Sequence, residues 1–153
     1  MRNSMIFANS ATLFLLPVLA MAGQQARAQN QTPANLPPPV GWTDPATSLT
    51  WTTEDNGSDV NWNQAIAYCA NLRLGGYSDW RLPTIDELQG IYDVNAGEKH
   101  VKGNLNLSSK YLWSSTPASS KAWFFFFSNG KRYTFRVSDS KEDRALCVRR
   151  TGQ

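Results

Sequence analysis

Few residues in this chain could do covalent chemistry. His100 is the only histidine, and it lies in a Lys- and Gly-rich stretch with no serine or acid spaced for a triad around it. It reads as a surface loop residue. Eight of the twelve acidic residues fall into three groups: Glu54, Asp55 and Asp59 about a Gly turn; Asp86 and Glu87; and Asp139, Glu142 and Asp143. Neither turn cluster has the alternating ligands of a twelve-residue calcium loop, so both read as solvated turns and no metal is expected. Asp86 and Glu87 suit the first turn of a helix, where negative charge is favoured, better than an acid/base pair. There is no zinc spacing and no phosphate-binding glycine loop. No enzymatic activity and no cofactor are expected.

Binding chemistry is better supplied. Residues 121–128 (KAWFFFFS) and 131–137 (KRYTFRV) flank Asn129-Gly130, the strongest short signal for a β-hairpin. A two-residue turn would pair Ser128 with Lys131. One face would then carry Ala122, Phe124 and Phe126 opposite Val137, Phe135 and Tyr133, and should meet the core. The other would carry Trp123, Phe125 and Phe127 opposite Arg136, Thr134 and Arg132. Guanidinium groups facing aromatic rings can grip a sugar face beside a sulfate, phosphate or carboxylate. Trp123, Phe127, Lys121, Lys131, Arg132 and Arg136 are therefore the candidate ligand-binding residues, unless another segment covers that face.

The elements that must position these residues are legible from local signals. Leu49-Thr50-Trp51-Thr52 suits a first strand. Asn61 and Gln64 form a capping box for a helix from Trp62 to Leu72, closed by Gly75-Gly76. Thr84 and Glu87 form a second box, with Ile85, Leu88, Ile91 and Tyr92 as the apolar face. Residues 95–109 read as a loop, and strands are expected at 110–115, across the hairpin and at 145–150. The order places Cys69 on the buried stripe of the first helix and Cys147 on the last strand. The fold class is α+β, with two helices and a mostly antiparallel sheet.

The N-terminus has the layout of a secretory signal: Arg2, an apolar run from Ala11 to Ala22, and small-x-small sites at Ala20-Met21-Ala22 and Ala26-Arg27-Ala28. The expected organisation is a signal peptide (1–28), a Pro-rich linker (29–41) and one domain (42–150). The apolar run is short of the roughly 20 residues of a membrane span, so the mature chain is expected to be periplasmic or extracellular without a transmembrane segment. In an oxidising compartment the two cysteines allow one intramolecular disulfide, with free or intermolecular thiols as the alternative. Charge is segregated. Residues 29–98 hold two basic and nine acidic groups, and residues 99–153 hold eleven basic and three acidic. The two halves can attract each other, and the basic one can meet a polyanion. Export and the lack of any known module argue against nucleic acid.

The string Gly75-Gly76-Tyr77-Ser78-Asp79-Trp80-Arg81-Leu82-Pro83-Thr84, followed by Glu87-Leu88, resembles the signature of the Lcl C-terminal domain family of exported bacterial domains. Leu49-Thr50-Trp51, Trp62 with Ala65 to Cys69, Leu112 to Thr116, and Cys147-Val148-Arg149 are similar to other parts of it, in order. The resemblance implies a C-type-lectin-like fold with a disulfide from the first helix to the last strand. It also implies adhesion-type binding, with sulfated polysaccharide as one ligand class suggested for the collagen-like adhesin that named the family. This chain has no collagen-like repeat, and it lacks the Glu-Pro-Asn, Gln-Pro-Asp and Trp-Asn-Asp motifs of calcium-dependent lectins. The catalytic cysteine pair of sulfatase-activating enzymes, which share that fold, has no counterpart here. Trp80, Arg81, Leu82 and Pro83 read as structural: a buried aromatic and an arginine that satisfies carbonyls or an acid. The expected function is an exported, non-catalytic binding module for an anionic glycan or envelope polymer, or alternatively a protein-interaction scaffold of the envelope.

Overall fold

Both helices begin at the boxes that the sequence announces. Asn61 accepts from the Gln64 backbone while the Gln64 side chain accepts from the Asn61 N–H, and α1 runs Trp62–Asn71. Thr84 and Glu87 do the same for α2, Ile85–Gly90. The first helix stops at an extended Leu72 rather than on the glycines. Gly75 and Gly76 instead take positive φ in a turn that brings Leu74 against Tyr77.

These observations come from a computed structural model that describes residues 40–140 and 142–152. The expected signal peptide, and the expected linker apart from residues 40 and 41, lie outside the described residues. None of the described helices is long and apolar enough to cross a membrane.

Among the described residues, seven strands form two sheets. Strands β1 (Trp42–Asp44), β2 (Leu49–Trp51) and β7 (Val148–Arg150) make an antiparallel sheet in the order β1-β2-β7. Strands β3 (Tyr111–Ala118), β4 (Lys121–Phe126), β5 (Lys131–Arg136) and β6 (Asp143–Arg144) make the second, in the order β5-β4-β3-β6. Among the pairings of these seven strands, only β3–β6 is parallel. The α+β class holds, and Cys69 and Cys147 are joined in a disulfide with Cα atoms 5.4 Å apart. The bond clasps α1 to the residue that leads into β7, across a sequence separation of 78.

The hairpin differs from expectation in a way that matters. Phe126, not Ser128, pairs with Lys131, so the loop has four residues and every cross-strand partner moves by two. The Gly130 N–H donates to the Phe126 carbonyl (3.0 Å). Gly130 has a φ of 68° and sits so close to Tyr92 that a Cβ would lie 2.6 Å from that ring.

The burial of the two hairpin faces also departs from expectation. Strand β4 lies between β3 and β5 with core on both sides. Phe125, and Phe127 just beyond the strand, join Leu49, Trp51, Ile85, Leu88, Ile91, Leu112 and Val148 in one cluster. Ala122 and Phe124 join Ala65, Cys69, Trp80, Leu82, Trp113 and Cys147 in a second. A strand buried on both faces reads as a continuous apolar run, which is what four consecutive phenylalanines are. The face expected to hold a ligand is thus largely core. The opposite face, expected to be core, is covered by α1 only in part and leaves Tyr133 and Phe135 about 40% exposed.

Candidate functional site

The cation–aromatic cluster expected on one hairpin face is dispersed. Phe127 is fully buried, which removes it as a ligand contact. Trp123 is half-buried against the first core cluster, opposite Thr134. Arg132 turns onto α2, pairing with Asp86 (2.7 Å) and donating from Nε to Gln89. Lys121 and Arg136 remain exposed as a directly opposed cationic pair at the far end of that face. Lys131 belongs to the other face, beside Phe126.

That other face carries the arrangement the sequence did not disclose. Strand register lines up Asp143, Tyr111, Phe126 and Lys131 across β6, β3, β4 and β5. The Tyr111 and Phe126 rings stack 4.4 Å apart and 5° from parallel. Phe124 lies between Tyr133 (5.7 Å, 24°) and Phe135 (6.1 Å, 86°) in the next rows. The result is an aromatic sheet face with an acid at one edge and a lysine at the other.

Two clefts meet at Tyr111 and Glu142. The larger, about 650 Å³, is walled by Tyr111 and Phe126 and rimmed by Lys99, Lys110, Arg144 and Glu142. The smaller, about 250 Å³, lies between Tyr111, Phe124, Phe135, Glu142 and Asp143. Their shared rim is fixed by side chains from far away in sequence. Asp55, expected as a solvated turn residue, is buried and accepts from the Ser108 backbone (2.6 Å) and hydroxyl (2.5 Å). Ser109 Oγ donates to the Glu142 carbonyl (2.6 Å), where Glu142 holds a φ of 62°. Lys99 Nζ donates to Asn106 Oδ1 and to the Leu107 carbonyl, both at 2.6 Å. Arg144 pairs with Asp59.

Asp143 is the electrostatic outlier. Burial, and then the charges of Asp139 and Glu142, push its carboxyl up to about 7. No hydrogen bond or ion pair reaches that carboxylate among the described residues. No group of three or more metal-ligating side chains that could hold an ion occurs among them either.

The remaining candidates hold structure together. Trp80 is buried, its Nε1 donating to the Leu74 carbonyl (3.3 Å). The Arg81 backbone exchanges hydrogen bonds with Val148, and its guanidinium takes Glu87 in a two-point pair (2.8 and 2.7 Å). Burial raises the Glu87 carboxyl, but Arg81 and the Thr84 N–H outweigh it and hold Glu87 below its ordinary value. Leu82 and Pro83 are buried, and Ser115 N–H donates to the Pro83 carbonyl (2.7 Å). Arg149 lies over the Tyr77 ring (3.6 Å) and bonds Asp79 (2.8 Å), which lowers the Asp79 carboxyl. His100 is half-buried, its Nδ1 donating to the Phe127 carbonyl (3.1 Å) and so bracing the hairpin loop.

A small α+β domain, clasped by one disulfide and bearing an open aromatic face, is the class defined by these features. Residues 41–149 match the Lcl C-terminal domain family, and the chain belongs to it. Comparison with curated proteins finds no match.

Proposed function

We propose that this protein is an exported, non-catalytic binding module for an anionic glycan or envelope polymer, and that the Tyr111–Phe126 cleft is its site. The observation that carries this reading is the stacked Tyr111–Phe126 wall in a cleft of about 650 Å³ beside Lys99 and Lys110. A sugar ring can lie on an aromatic wall while its sulfate, phosphate or carboxylate meets a cation at the rim. Lys131, in line with Phe126, extends the cationic side across the sheet.

Salt-dependent retention on immobilised heparin, followed by a glycan and polyanion array, tests the proposal with the purified protein. Retention should fall as salt shortens the screening length. A Lys110→Glu/Lys131→Glu variant should lose most of it, whereas Lys121→Ala/Arg136→Ala should lose little. No retention at low ionic strength overturns the reading. A second reading, a protein-interaction scaffold, draws on the exposed Tyr133 and Phe135. It predicts capture of an envelope protein that survives glycan-degrading enzymes and is lost in Tyr133→Ala/Phe135→Ala.

A further inference from the structure

The smaller cleft has a chemistry opposite in sign to its neighbour. Three aromatic rings stand around it at different angles. Tyr111 and Phe124 are 6.0 Å apart at 55°, and Phe124 and Phe135 are 6.1 Å apart at 86°. The remaining wall is acidic, from exposed Glu142 and from Asp143, which is only 3% exposed. A carboxylate taken out of water without a partner is costly unless a cation or donor meets it. Arg144, the next residue in the chain, is paired with Asp59 instead. Lys110 and Lys99 line the other cleft. Lys141 lies outside the described residues.

Ring faces and ring edges attract different partners. The negative face of an aromatic ring attracts a positive charge, and several rings set at angles surround one better than a single ring does. The volume, about 250 Å³, falls below the roughly 300 Å³ at which pockets for drug-sized ligands begin, so it suits a head group rather than a whole molecule. A hard divalent ion is a poor fit. Calcium takes 6–8 oxygen ligands, and this wall offers two carboxylates among hydrocarbon.

We propose that the Tyr111, Phe124 and Phe135 rings with Asp143 and Glu142 form a binding site for an organic ammonium group, held by the ring faces and neutralised by the two carboxylates. The site stands apart from the polyanion reading and does not depend on it. The two clefts share Tyr111 and Glu142, so a ligand carrying both an ammonium and an anion can span them. The raised Asp143 carboxyl follows from the same geometry. An ammonium favours the ionised acid, so affinity rises with pH through about 7. Asp139 and Glu142 are the charges that act on Asp143, and Tyr111 is its neighbour in the sheet.

The test is titration of the purified protein with choline and with its neutral isostere 3,3-dimethyl-1-butanol, at matched ionic strength, by calorimetry or tyrosine fluorescence. Choline should bind saturably and at least about tenfold tighter than the isostere, and more tightly at about pH 8.5 than at about pH 5.5. Asp143→Asn should weaken choline about tenfold at the higher pH and remove most of the pH dependence. Phe135 is 42% exposed, so Phe135→Ala should weaken binding without disturbing the fold, as near-UV circular dichroism can check. Parallel titrations with phosphocholine, lysine amide and glucosamine identify the source of the ammonium, since whichever binds tightest supports the site and names it. Equal binding of choline and the isostere, or unaltered affinity in Phe135→Ala, overturns the proposal.

Discussion

Asp55 and Ser108 are joined twice, with Asp55 Oδ2 accepting from the Ser108 N–H at 2.6 Å and Oδ1 from its hydroxyl at 2.5 Å. Asp55 also closes its own turn by accepting from the Gly57 N–H at 2.9 Å. One side chain thereby ties a turn near the start of the domain to the segment that rims the larger cleft. Lys110 and Tyr111 follow directly in the chain, so the position of the aromatic wall depends on this link.

Asp55→Ala should therefore act on stability and on binding together. It strands the Ser108 donors, and the loss should be about 1–3 kcal/mol by urea denaturation. Polyanion retention should fall in the same variant, and choline binding with it, because Tyr111 lines both clefts.

Glu87 serves two partners. It caps α2 through the Thr84 N–H (2.8 Å) and pairs with Arg81. Glu87→Ala should cost about 1–2 kcal/mol, mostly from the cap, since the Arg81 side chain is 43% exposed and its pair is weakened by solvent. The Glu87 carboxyl is held below its ordinary 4.5, so its contribution is present above that pH and is lost as pH falls through the depressed value. Acid titration of the variant should be flatter than that of the parent in this window.

The disulfide closes most of the domain into one loop, and both cysteines are buried. A crosslink over a separation of 78 is worth about 4 kcal/mol on chain-entropy grounds. Cys69→Ala/Cys147→Ala should lower the denaturation midpoint accordingly, as should reduction of the parent protein. Intact-mass analysis with a thiol label should find no free cysteine before reduction.

Phe127 separates the burial observed for this hairpin face from the open face the sequence suggested. Phe127→Ala empties a fully buried site and should cost about 3–5 kcal/mol. Trp123→Ala removes a half-buried side chain and should cost less. Had the two residues shared an open ligand face, both substitutions would leave the denaturation midpoint nearly unmoved.

What was legible in the sequence is what is local. The capping boxes at Asn61 and Thr84 depend on residues three apart, and both helices begin where those boxes place them. The hairpin was legible in kind and shifted in detail, because Asn129-Gly130 lies in a four-residue loop that packs against Tyr92, far away in the chain. The phenylalanine run offers apolar residues to both faces of β4, so alternation cannot tell which face a helix covers. Strand β6 has two residues and no period to detect, yet it brings Asp143 beside Tyr111. The aromatic residues of the cleft were visible individually. Their assembly depends on a parallel pairing and an Asp55 clamp that no short window contains.

Asp143 gives the fold a pH dependence of unusual sign for a carboxylate. Its value rises from an ordinary 3.8 to about 7 on folding, through burial first and then through Asp139 and Glu142. Between those limits the folded chain binds more protons at this site than the unfolded chain. Stability from this group is therefore greatest below pH 3.8 and declines as pH rises towards 7, by at most about 1.4 kcal/mol per pH unit. Asp143→Asn removes the charge and keeps the shape, so it should raise the melting temperature at about pH 8 and flatten the profile between about pH 4 and 7. A saturating ammonium ligand should do the same for the parent protein at about pH 8, by supplying the missing counter-charge. If the substitution lowers stability at that pH, Asp143 has a partner that favours its ionised form, and the cleft has less need of a cation.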